Sequence, residues 1–75
     1  MQRSLRMLCA GGDKTLAEWN TDTVSPERLD AIEREFQQKL EQGYFAADLT
    51  DGKNTLVREF DPNADLLLIP RVQGG

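Results

Sequence analysis

The sequence predicts an α+β domain in the order strand, strand, helix, strand, strand, strand: a mixed sheet packed on one helix. Three observations carry this. There is one long amphipathic segment, between 26 and 42. Short runs of strand character flank it on both sides. An unbroken aliphatic run, Leu66-Leu-Leu-Ile69, lies near the carboxyl end. A lone amphipathic helix must bury its stripe, and a face of the sheet is the only surface on offer. Four large aliphatics are too few for a helix and suit a strand buried on both faces.

Taken in order, Leu5, Met7 and Cys9 alternate with Ser4, Arg6 and Leu8, a half-buried strand over 3–10. Gly11-Gly12-Asp13 signals a turn, and a second strand over 15–20 sets Ala17 and Trp19 on one face and Leu16 and Glu18 on the other. Ser25 is placed to cap a helix, Pro26 suits its first position, and Glu27 faces the positive end of the dipole. Leu29, Ile32, Phe36 and Leu40 form one apolar stripe, with Glu35 and Lys39 a favourable pair on the polar side. Gly43 ends the helix.

A second hairpin follows. Its first strand puts Phe45, Ala47 and Leu49 on one face; its second, over 55–60, does so with Leu56 and Phe60, and Asp51-Gly52 makes the turn. Asp61-Pro62-Asn63-Ala64 then reverses the chain into the last strand, which Pro70 ends. An all-apolar last strand belongs at the centre of the sheet, beside and parallel to the first. That is a β-grasp arrangement, expected over 1–70, with 71–75 a flexible tail.

Seventy-five residues make one domain with a stability margin of a few kcal/mol. Cys9 is the single cysteine and there is no histidine, so neither an internal disulfide nor a cysteine- or histidine-based metal site is expected. Thirteen acidic residues against nine basic give a net charge of −4, with no basic patch of the kind nucleic acid requires. No apolar run has the length of a signal peptide or a membrane span. We expect a soluble, cytoplasmic protein, monomeric when free, with no cofactor, nucleic-acid or membrane role.

Enzymatic chemistry is hard to place. Without histidine no Ser-His-Asp or Cys-His constellation forms, and Cys9 sits in mid-strand as a small core residue. Asp48, Asp51, Asp61 and Asp65 fall at turns and strand ends, the usual places for such residues, rather than forming a metal cluster. Trp19 and Tyr44 read as core or boundary aromatics. Because alternation sends some apolar residues to the face away from the helix, Leu8, Leu16, Leu67 and Ile69 are candidates for an exposed docking patch. The tail, Arg71-Val-Gln-Gly-Gly75, reads either as a frayed end or as a reactive one. Glycines without Cβ atoms thread a narrow active site, and a glycine carboxylate is open to attack.

The segment Ala64-Asp-Leu-Leu-Leu-Ile-Pro-Arg-Val-Gln-Gly-Gly75 resembles the ending of the ubiquitin-like β-grasp superfamily, including sulfur carriers such as the small subunit of molybdopterin synthase. With Gly43-Tyr-Phe-Ala and Arg58-Glu-Phe-Asp-Pro62, it is most similar to small bacterial and phage-borne ubiquitin-like proteins. The resemblance implies a non-enzymatic modifier. An ATP-dependent adenylating enzyme would activate Gly75, a conjugating enzyme would take part, and a JAMM-type zinc protease would process it. Gly74 would supply the slim approach, and Arg71, Val72 and Gln73 the recognised lead, with Lys14, Lys39 and Lys53 as chain-forming acceptors. The alternatives are a sulfur carrier with a thiocarboxylate on Gly75, and a plain interaction module. The single hairpin after the helix is shorter than ubiquitin's excursion there, which separates partner surfaces but not tail chemistry.

Overall fold

A computed structural model describes residues 1–71. Five strands and one α-helix follow the expected order: β1 Gln2–Cys9, β2 Gly12–Asn20, α1 Pro26–Glu41, β3 Phe45–Asp48, β4 Thr55–Val57 and β5 Leu66–Ile69. The sheet runs β2-β1-β5-β3-β4, so the aliphatic β5 is central and parallel to β1, with antiparallel pairing elsewhere. Among the described residues no helix is long and apolar enough to cross a membrane.

Local chemistry sets the helix limits. The Ser25 hydroxyl accepts from the N–H of Arg28, and Pro26 occupies the first turn. At the other end Gly43 has φ of 101°. Its N–H donates to the carbonyl of Leu40 and that of Tyr44 to Lys39. This pair of bonds closes the last turn and needs a left-handed residue at Gly43. The stripe then buries as expected. Ile32 and Phe36 pack with Leu5, Ala17, Trp19, Ala46, Leu66 and Leu68, while Leu29 and Leu40 lie at the margin. Lys39, expected to pair with Glu35, instead sets its ammonium over the Tyr44 ring, 5.7 Å from the centroid.

Four expectations are corrected. The first hairpin turns at Ala10-Gly11, and β2 begins at Gly12 rather than 15. Leu16 leaves the outer face because the β1–β2 register slips there: Leu5 pairs Ala17 but Arg6 pairs Thr15. The extra residue bulges, and Leu16 packs against the core. The second hairpin lacks a two-residue turn; Thr50–Gly52 forms a 3-10 turn, with Asp51 left-handed at φ 53°. Leu49 lies outside β3, and β4 stops at Val57. Phe60 therefore parts company with Leu56. It turns inward against the Trp19 and Phe36 rings, each 5.7 Å away between centroids, while Leu56 faces solvent.

The loop leading into β5 is tied down by carboxylates. Asp65 accepts from the N–H of Ser4 and from Arg3, whose side chain is only 12% exposed. Its own N–H donates to the Thr50 hydroxyl. Asp61 and Asp48 each accept from the N–H two residues ahead, in the turn roles their positions suggest. Trp19 reaches across to donate its indole N–H to the carbonyl of Pro62 at 2.8 Å. Of the buried side-chain nitrogens and oxygens, Arg3 Nε is without a partner among the described residues.

Candidate functional site

Strand alternation splits β5 between two faces. Leu66 and Leu68 turn to the helix and are buried, whereas Leu67 and Ile69 turn away and are half-buried. Cross-strand pairing carries the second set across the sheet. Leu67 pairs Arg6 on β1 and Ala47 on β3, and Ile69 pairs Phe45. Ala47 in turn pairs Leu56 on β4. Leu8, two residues after Arg6, completes the row. The outer face thus gathers Leu8, Phe45, Leu56, Leu67 and Ile69 into one apolar surface, with no helix over it among the described residues.

Three of the four patch residues expected from sequence, Leu8, Leu67 and Ile69, come together here; Leu16 does not. Phe45 and Leu56 join them at 46% and 69% exposure, and Ala47 lies between Leu56 and Leu67, closed over by them. Both additions follow from a register that sequence leaves open. With apolar residues at Phe45, Ala46 and Ala47 in succession, either set of alternate positions suits the core. The smaller Ala46 faces the helix because β5 sets Leu68 opposite it.

Arg71 follows Pro70 and folds back over the Phe45 ring, its guanidinium carbon 5.7 Å from the centroid. This contact holds the first tail residue against the start of β3. Val72, Gln73, Gly74 and Gly75, the remaining tail residues expected to matter, lie outside the described residues. Of the lysines considered as acceptors, Lys14 and Lys53 are exposed and Lys39 is half-buried. Cys9 is half-buried, its thiol directed at the carbonyl of Met7.

The hydroxyl and N–H of Thr50 both donate to Asp48 and hold its carboxyl below the ordinary value of 3.8, with Lys53 and Arg3 adding weaker attraction. Among the described residues no group of three acidic, cysteine or histidine side chains is arranged to hold a metal. No family model matches the chain, and neither does any curated protein or solved structure.

Proposed function

We propose that the chain is a ubiquitin-like β-grasp modifier that is joined to other proteins through Gly75. The observation that carries the reading is the continuity of one segment. The central strand β5 is parallel to β1 and gives Leu67 and Ile69 to the open apolar face, and in sequence it is followed by Pro70, Arg71 and Val72-Gln-Gly-Gly75. In this reading the Gly75 carboxylate attacks the α-phosphorus of ATP on an adenylating partner, and pyrophosphate leaves. A partner cysteine thiolate then displaces AMP to form a thioester. A lysine amine of the target displaces the thiolate and gives an amide. The chain contributes the carboxylate and a recognition surface, and the partners contribute the catalysis.

The test is mass spectrometry of N-terminally tagged protein recovered from its own host under denaturing conditions. Conjugates carrying Gly75 on lysine side chains are the expected result, absent for Gly75→Ala. A single species with sulfur in place of a terminal oxygen would replace the modifier with a sulfur carrier. Unmodified protein alone, with an active adenylating partner present, would overturn both and leave an interaction module.

A further inference from the structure

The two edges of the sheet are built differently. β2 carries Asp13, Lys14 and Glu18 and a bulge at Leu16, features that hinder pairing with another strand. β4 has none of them. Its three residues, Thr55, Leu56 and Val57, are uncharged, contain no proline and, among the described residues, pair regularly with β3 on one side only. Leu56 and Val57 also border a cleft of about 710 Å³, whose lining includes Leu40, Tyr44, Phe45, Arg58 and Arg71.

The charge of this cleft opposes that of the molecule. Acidic residues outnumber basic ones thirteen to nine in the chain, yet among the described residues no carboxylate lines the cleft and both its ionised side chains are arginines. Arg58, the residue after β4, lines the cleft together with Phe45, whose ring lies under Arg71. The cleft thus carries two guanidinium side chains and one half-exposed aromatic ring. Neither forms an ion pair among the described residues.

We propose that this edge binds a short, extended, acidic peptide segment of another protein, added to the sheet beside β4. Main-chain hydrogen bonds to the open edge give such a ligand its extended form, and pockets on alternate sides read its side chains. Apolar side chains rest on Leu56 and on the Leu40–Tyr44 wall. A carboxylate side chain reaches Arg58 and Arg71, where planar guanidinium forks match its geometry. Three edge residues offer few main-chain hydrogen bonds, so the arginines must supply much of the selectivity. The site shares Arg71, Phe45 and Leu56 with the surface of the modifier reading but uses no chemistry at Gly75.

The experiment is selection of a displayed library of random twelve-residue peptides on the immobilised chain. The strongest binder is then made synthetically with both termini blocked and titrated into 15N-labelled protein. We expect selected sequences to set Asp or Glu among β-branched and aromatic residues, and amide shifts to centre on 55–58 and 71. We expect Arg58→Glu with Arg71→Glu to weaken binding at least tenfold, and proline at the peptide's centre to do the same. Leu56→Asp, an exposed change, gives a second variant, and amide spectra away from the cleft verify its fold. Gly75→Ala should bind as the native chain does. Selection of no sequence, of sequences without acid, or of peptides indifferent to the arginine changes would overturn the proposal. So would shifts centred on Arg6, Leu8 and Leu67, or shifts that grow with protein concentration alone, the mark of a second copy.

Discussion

At the scale of single residues, the carboxylates act as fasteners. Asp65 joins the start of β5 to β1 through Arg3 and the N–H of Ser4. Removing one member of a largely buried pair leaves the other charged and poorly solvated. Asp65→Ala should therefore cost about 2–3 kcal/mol, discounted from a fully buried pair because Asp65 is one-third exposed; urea unfolding at neutral pH measures it. Asp48 gives a pH signature. Its carboxyl is held below the unfolded value of 3.8, so its contribution is complete above that value and is lost as pH falls through the lower folded value. The stability difference between the native chain and Asp48→Asn should be constant near neutrality and shrink below pH 3.8. A difference that grows on acidification would reverse the assigned sign. Sequence placed these aspartates at turns correctly, because their chemistry there is local. It did not reveal the partners of Asp65 and Arg3, which stand 62 residues apart.

At the scale of elements, α1 is legible from end to end because each boundary is decided within a few residues. Ser25→Ala removes the acceptor for the N–H of Arg28 and should cost about 1 kcal/mol. Gly43→Ala keeps its open space, with only the aliphatic part of Arg71 near, but places a Cβ at φ 101° and should cost about 1–2 kcal/mol. Thermal unfolding of the two variants distinguishes the cap effects from loss of packing, since neither residue is in the core. The β3–β4 hairpin was less legible for the opposite reason. Its turn depends on Asp51 adopting a left-handed conformation, and its second strand ends where Phe60 finds the Trp19 and Phe36 rings. Tertiary aromatic packing overrode the alternation that had put Leu56 and Phe60 together. The bulge at Leu16 is of the same kind, a register event settled between two strands rather than within one.

For the whole molecule, the division into two sheet faces governs both stability and recognition. A domain of this size holds a margin of a few kcal/mol, so losing one large core side chain matters globally. Leu68 is fully buried against the helix, and Leu68→Ala should cost about 2–5 kcal/mol, enough to consume much of that margin. Leu56, on the opposite face and 69% exposed, has little burial to lose. Leu56→Ser should change stability by less than about 0.5 kcal/mol, the usual range for surface positions. Functional readouts should invert this order. If the outer face is the recognition surface, Leu56→Ser lowers conjugation or partner binding in a fully folded protein. The same assays on Leu68→Ala should recover activity in proportion to the folded fraction, whether folding is restored by cooling or by a stabilising solute. Urea melts read beside the activity assay separate the two cases. Equal activity of native and Leu56→Ser proteins at matched folded fraction would place recognition elsewhere, and the apolar face would then serve only to close over Ala47.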